Sequence, residues 1–569
     1  MSELKNIVDR IKQKDLDKAL ELCELSENRH NKSIILNFKG VIHLLKNNLD
    51  LAESNFLDSI KINEKYEDPI KNLYSIYLKK NNYKNLLIYA NKLVGIDKLN
   101  IEYKYQLAYA LELNNNQNDA IKYYNEYIDL GGKNKKEALN NIGCIHLKRN
   151  KPKVAKNFFL KGINFGEDKT IINNVLNSYI LLRDLENSNK YFDKAEKIDE
   201  NFIDFKYNKA KYLILKNQID EAVEILKENK AIPKFLITLL ILYSNTNQKE
   251  VVDKLLDQSI DGIKDDPMFL NYYGIKLLTE GNFNDGWKYY EYRNSKIVDF
   301  FSNTKEWTGE KIDTKNIVVF NEQGLGDSIQ FSKYIIPLTK ISKSVTFVVQ
   351  SSIKNLFKNN IKNLSIETIE TSRNKQFDFK IALGSLIKFF FKEKFEKNEN
   401  LLQTNKDIDL KWKNKIDSNK LNIGFVWSGG FNGANEPYRS VPLKSLKKIF
   451  SLDANFYCLQ NEVWDRDLDE FNSLDLINCG KYKLDEIASI ILNLDLVITS
   501  DTSLLHLSSS LNKETWGMLS LYPDWRWGEF DKFNPYSSLK IFKQKKFNEW
   551  TNVENEITDE LKKKISNNY

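Results

Sequence analysis

Apolar positions in the first part of the chain follow a helical period. They come in short blocks separated by polar, asparagine- and lysine-rich turns. A small residue, an alanine one helix later and then a larger apolar residue recur about every 34 residues. Gly40, Ala52 and Phe56 form one such set, and Ala108, Ala120 and Tyr124 another. Gly143, Ala155 and Phe159 follow, then Ala210, Ala222 and Leu226, then Gly274, Gly286 and Tyr290. Weaker copies lie at Leu16 to Leu20, Tyr74 to Ala90 and Leu176 to Ala195, and an irregular one at Ile232 to Leu256. Small residues let paired helices approach, larger ones fill the space between pairs, and a continuous core arises by stacking.

The pattern changes after about residue 300. Ile317 to Phe320 reads as a short buried strand, followed by the glycine turn Asn321 to Ser328 and a helical run through Ile329, Tyr334, Ile335 and Leu338. Thr346 to Val349 and Asp378 to Leu383 read as further strands. After the polar stretch Lys392 to Asn419, a second series of strands is expected at Ile423–Trp427, Phe456–Leu459, Leu496–Thr499 and Thr515–Leu519. Helical segments separate them at Leu443–Phe450, Leu484–Leu492 and Leu504–Leu511. Strand, turn, helix, strand is the doubly wound α/β pattern, and two successive copies imply a cleft between them. The first part has the period and layout of the tetratricopeptide repeat, in about eight units. The expected division is 1–300 for the repeats, 301–415 for one Rossmann-like lobe and 416–569 for the other.

Composition agrees with this division. All nine tryptophans lie at or after Trp287, and only Pro69 and Pro152 of the nine prolines fall in the first 200 residues. Cys23, Cys144, Cys458 and Cys479 are far apart and form no CxxC, so neither a disulfide framework nor a structural zinc site is expected. Formal net charge is +7 from 85 basic and 78 acidic residues, interleaved and without a basic block; no nucleic-acid partner is expected. The predominantly apolar run 235–243 is too short to span a membrane, and the start of the chain has no apolar core of a signal peptide. A cytoplasmic protein without an integral membrane segment is expected.

The chemistry concentrates in the α/β part. Thr499-Ser500-Asp501-Thr502-Ser503-Leu504-Leu505-His506 leaves a strand and starts a helix at once. The N–H groups of Thr502, Ser503 and Leu504 at such a start suit a diphosphate; a plain helix cap accounts for the same residues. Gly324-Leu325-Gly326-Asp327 holds the matching place in the first half, with neither a Walker ending nor a GxGxxG spacing. Trp427-Ser428-Gly429-Gly430, with Arg439 and Ser440 ahead, offers a loop and an arginine for phosphate, or an ordinary surface loop. Asp524-Trp525-Arg526-Trp527 reads equally as a core lock or a stacking lid. Of four histidines only His506 lies in this part, which excludes a multi-histidine metal site there, and no GxSxG elbow exists. A lone carboxylate base then favours transfer at a sugar carbon. In the repeats, Asn141, Asn173 and Asn208 are candidates to clamp an extended peptide, or are chance products of an asparagine-rich chain.

Taken together, these pieces resemble the bacterial tetratricopeptide-repeat glycosyltransferases, related to the heptosyltransferases and more distantly to the O-linked N-acetylglucosamine transferases. The resemblance rests on Gly281-Asn282-Phe283-Asn284-Asp285-Gly286-Trp287, Tyr290-Glu291-Tyr292-Arg293, Glu322-Gln323-Gly324-Leu325-Gly326-Asp327-Ser328-Ile329-Gln330-Phe331, Trp427-Ser428-Gly429, Arg439-Ser440, Asp501 to His506 and Asp524 to Trp527. It implies an α plus α/β protein: a repeat array followed by a GT-B region of two facing Rossmann-like lobes. It implies no cofactor and no metal, with a nucleotide-sugar as co-substrate. Asp327 is implied as the catalytic base of an inverting displacement. Gln323, Gly324, Gly326, Gln330, Trp427, Arg439, Asp501, Thr502, Ser503, Leu504, His506, Trp525 and Arg526 are implied around the substrates. The sequence departs from relatives at Gly430-Phe431-Asn432 and at Gly528-Glu529-Phe530. The expected partner is a protein or peptide acceptor held by the repeats, in a chain able to form homo-oligomers. Two other readings stay open: an interaction scaffold with a silent nucleotide-binding region, and a transferase for glycan or lipid-linked acceptors.

Overall fold

The computed structural model describes residues 2–27, 30–149, 151–246, 248–263, 265–296, 301, 303–358, 360–392, 400–417, 419–430, 438–527 and 536–568. The chain forms two compact units, Met1–Ser178 and Tyr179–Tyr569, divided near the end of helix Lys169–Leu182.

The N-terminal part is all-helical and resembles tandem helical repeats. Among the described residues, eighteen α-helices run from Ser2–Lys12 to Phe283–Tyr290, nine pairs where the sequence suggests about eight. Within the first unit the spacing of small residues has a steric cause. A Cβ on Gly40 would sit 2.5 Å from the Phe56 ring, and one on Gly143 would sit 2.4 Å from Phe159. Ala52, Ala108, Ala120 and Ala155 are fully buried beside those rings. First helices end in a left-handed turn at Lys14, Asn47, Asn81 and Asn115. There the next amide reaches back over the turn, as Asn48 N–H does to the His43 carbonyl at 2.9 Å.

The second unit holds the last repeats and two parallel sheets. The first sheet contains β1 (Lys305–Glu306), β2 (Ile312–Phe320), β3 (Ser342–Val348), β4 (Leu364–Glu367) and β5 (Phe379–Ala382), in the order β1-β5-β2-β3-β4. The second contains β6 (Asn422–Val426), β7 (Asn455–Cys458), β8 (Ile477–Asn478), β9 (Leu496–Ser500), β10 (Thr515–Leu519) and β11 (Leu539–Lys543), in the order β11-β10-β9-β6-β7-β8. Every pairing is parallel. β6, β9 and β10 are buried at every position, as strands covered on both faces must be.

This is a two-sheet α/β region consistent with a GT-B-like fold. In each sheet the strand order reverses once, between β2 and β5 and between β6 and β9. Ligands of doubly wound sheets bind at such switch points, beyond the carboxyl ends of the strands. The loops there are Asn321–Gly324 after β2, Trp427–Gly430 after β6 and Asp501–Thr502 after β9. The C-terminal helix Thr551–Asn568 closes the second sheet, burying Val553, Ile557 and Leu561 against Ile423, Phe425 and Ile498.

Candidate functional site

A cavity of about 750 Å³ opens between the two sheets. The first lobe contributes Leu325, Ser351, Ser352 and Asn355. The second contributes Ser428–Gly430, Gln460–Glu462, Gly480, Tyr482–Asp485 and Thr502–Leu504. The lobes touch directly beside it: a Cβ on Gly326 would lie 3.0 Å from His506 Cδ2 and 3.4 Å from Ser503 Cα. The glycine therefore lets helix Leu325–Phe331 rest on helix Ser503–Ser510. Asn355 Nδ2 also donates across the lobes to Asp485 at 3.1 Å.

The start of helix Ser503–Ser510 has the cap read from the sequence. Thr502 is its N-cap and takes the Leu504 amide on its own hydroxyl at 3.3 Å. One of the three N–H groups expected to face a diphosphate is thus used inside the protein, while Thr502, Ser503 and Leu504 still form cavity wall. Asp501 is buried just before the cap. Burial, and then the Asp524 carboxylate, push its pKa up to about 6, against the pull of Arg439. His506 is buried, stacks on Trp527 with centroids 5.4 Å apart, and meets the Tyr536 hydroxyl at 3.1 Å. Burial and the charges of Arg526 and Arg439 hold it well below the usual imidazole range, so it is neutral.

Asp327 lies in the first turn of helix Leu325–Phe331, the helix-start position the sequence suggests. One carboxylate oxygen accepts from the Gly324 amide at 3.0 Å, and the other is bound by Arg526. Arg526 also donates to Asp524 at 2.5 Å and to Gln330 at 2.8 Å, with its guanidinium 5.1 Å from the Phe331 ring centroid and 4.6 Å from that of Trp525. Asp327, Gln330 and Arg526 therefore form one bonded group joining the lobes. Arg439 packs against Gly429, its Nη2 2.8 Å from where a Cβ would stand.

Three expectations about substrate contact change. Trp427 is fully buried, its indole donating to Asp467 at 3.1 Å; the cavity wall begins at the next residue, Ser428. Trp525 is a core lock, stacked on Phe331 and meeting Trp287 and Tyr290 edge to face. Gln323 exchanges hydrogen bonds with the Tyr290 hydroxyl instead of facing the cavity. Its neighbour Glu322 forms a buried ion pair with Arg293 at 2.8 Å and accepts the Gly384 amide at 3.0 Å. The Tyr290–Arg293 and Glu322–Gln323 motifs are thus two halves of one joint. Gly324 begins the helix that carries Asp327. Phe431, Asn432 and Gly528–Phe530 lie outside the described residues.

Gln460 is a residue the sequence reading passed over. Its side-chain oxygen accepts the Trp427 and Ser428 amides at 3.2 and 3.0 Å, and its nitrogen donates to Ser428 Oγ at 2.8 Å. It sets the loop after β6. The available signal was a polar residue directly after an apolar strand in the second lobe. In the repeats, Asn173 and Asn208 are buried and Asn141 donates to Tyr124. Asn37, Asn72, Gln106, Asn140 and Asn174 occupy equivalent positions in successive first helices. Asn72 donates to Asn37 at 3.3 Å and Asn174 to Asn140 at 2.8 Å.

Two parallel sheets with a cavity at their switch points make an α/β region consistent with a GT-B-like fold. Within it, residues 460–563 match the model of glycosyltransferase family 9 (heptosyltransferase). No curated protein matches the chain. Among solved structures, the chain is similar to MamA from Desulfovibrio magneticus RS-1, with 15% identity over 29% of this chain and 96% of that one and a TM-score of 0.27. It is also similar to Pseudomonas aeruginosa PilF, with 9% identity over 37% and 96% and a TM-score of 0.31. YrrB, described as a TPR protein with an unusual peptide-binding site, gives 17% identity over 30% and 89% and a TM-score of 0.26. No described helix is long and apolar enough to cross a membrane.

Proposed function

We propose that the protein is an inverting glycosyltransferase that needs no metal and moves a sugar from a nucleotide-sugar to a hydroxyl of a protein or peptide held by the repeats. The observation that carries this reading is the 750 Å³ cavity at the switch points, walled in its second lobe by part of the family-matched segment. The nucleotide diphosphate lies against Thr502, Ser503 and Ser428–Gly430, where the helix start and Arg439 offset the charge that grows on the leaving diphosphate. Asp327 accepts the acceptor's proton as its oxygen attacks the anomeric carbon. The Arg526 pair presets the carboxylate and is exchanged for the acceptor hydroxyl. One displacement inverts the anomeric centre. The amide row from Asn37 to Asn174 supplies paired donors and acceptors for an extended acceptor backbone.

The test has two stages. Thermal stabilisation by UDP-, GDP-, ADP- and CMP-linked sugars should single out one nucleotide, because a selective binder raises apparent stability by mass action. With that donor, Asp327→Ala should lower transfer roughly a hundred- to ten-thousand-fold while nucleotide stabilisation persists. Full transfer by the variant refutes the base assignment; stabilisation by none of the panel refutes the transferase reading. Mass gain on a protein rather than a glycan acceptor decides the acceptor class.

A further inference from the structure

The left-handed turns at the ends of first helices carry Asn47, Asn81, Asn115, Asn217 and Gly281, and two long basic residues, Lys14 and Arg183. Asparagine and glycine suit positive φ, and arginine does not. Arg183 nonetheless makes the same turn as Asn217, with φ +55° against +62°. Its amide reaches the Ile180 carbonyl at 3.0 Å, as that of Asn217 reaches Ile214 at 3.0 Å. Backbone preference therefore does not explain this side chain. Its position does: the guanidinium lies 4.6 Å from the centroid of Trp464, in the second α/β lobe.

Trp464 is almost wholly buried, packs on Leu182 and carries Arg466 at 4.6 Å as well as Arg183. Its indole N–H donates to the Gly429 carbonyl at 3.1 Å, and Gly429 is cavity wall. A second anchor lies near the far end of the same segment. Tyr438 is buried in the repeat core with Ala210, Leu213 and Phe235, its ring tilted against Phe547, immediately before Arg439. The turn of the following repeat adds a polar contact, Asn217 with Asn548 at 3.4 Å.

We propose that Arg183, acting through Trp464, and Tyr438 are positioning residues by which the helical repeats hold the cavity wall Ser428–Gly430 and Arg439, and so set the affinity for the nucleoside-diphosphate sugar. This inference rests on the donor reading of the cavity. It makes the repeats part of the donor site as well as a holder of the acceptor.

Arg183→Asn tests the inference in the full-length protein, because asparagine is the chain's own choice at this turn and leaves its folding intact. Trp464→Phe keeps a ring for Arg183 but removes the donor to Gly429 and leaves a small cavity, so some loss of stability is expected of it. Each variant should raise the donor KM about fivefold with little change in kcat, and Arg183→Asn should do so at unchanged melting temperature. Arg183→Lys should recover part of the loss. Amide exchange at Ser428–Gly430, measured without nucleotide, should be faster in both variants. Unchanged KM and exchange in Arg183→Asn overturn the proposal, as does a KM rise matched by a fall in melting temperature in that variant. If the wild-type protein binds no sugar nucleotide, the donor reading fails; the exchange measurement then decides by itself whether the turn holds the loop.

Discussion

Asp501 shows how burial turns one side chain into a pH sensor. An ordinary aspartate ionises near 4; this one is held protonated up to about 6 by burial and by Asp524. Between these values the folded chain keeps a proton that the unfolded chain releases. The stabilisation is complete below about pH 4 and is lost as pH rises through about 6. Asp501→Asn should therefore make the protein more stable above pH 6, by at most about 3 kcal/mol, and flatten the dependence of melting temperature on pH. Diphosphate affinity should also fall in the wild type as pH rises through about 6, because a carboxylate gains charge beside the anion. Titration calorimetry on either side of pH 6 checks this, and a step that survives in Asp501→Asn removes Asp501 as its source. At this scale the sequence disclosed residue types and spacing but not partners. Asp327 was legible as a helix-start carboxylate, whereas its bond to Arg526, distant in sequence, became visible only when the lobes met. Trp427 and Trp525 misled for a related reason: an aromatic beside a glycine loop reads alike whether it faces ligand or core.

The elements most legible from sequence were those buried on both faces. β6, β9 and β10 are continuous apolar runs and fall within a residue or so of expectation. β1 and β8, two exposed residues each, carry no such signal, and β4 alternates with polar positions. β11, Leu-Lys-Ile-Phe-Lys, is an edge strand that mixes buried Leu539 and Phe542 with exposed Lys540 and Lys543, and so gives no clean apolar run. Gly480 is an element-scale constraint with no motif of its own: a Cβ there would stand 1.9 Å from the Gln460 carbonyl oxygen. Gly480→Ala must push apart the ends of β7 and β8, and with them Gln460, which fixes the loop after β6. It should cost about 1–3 kcal/mol in denaturant unfolding and weaken nucleotide stabilisation. A variant as stable as the wild type would mean that the two loops separate without strain.

At the scale of the whole molecule, repeat stability is the sum of each pair and its contacts with its neighbours. Removing residues 1–133 takes away whole helix pairs and leaves the second unit, with its cavity, covalently intact. Nucleotide stabilisation should survive this truncation, while transfer to a protein acceptor should fall. Thermal shift and transfer assays on the two chain lengths distinguish these effects, and loss of nucleotide stabilisation would count against an independent second unit. The architecture was the most legible level, because a helical period followed by two strand–turn–helix series leaves few arrangements. The seating of the last repeats on the second lobe was not legible, since it depends on single side chains such as Tyr438 and Arg183.

The bare backbone at Gly326 also sets how closely the lobes meet. With Ser503 Cα only 3.4 Å from where its first side-chain carbon would be, a bulkier residue at 326 would have to wedge the two lobes apart. The Asn355–Asp485 hydrogen bond and the Asp327–Arg526 ion pair span the same seam, so such a wedge would strain both of them.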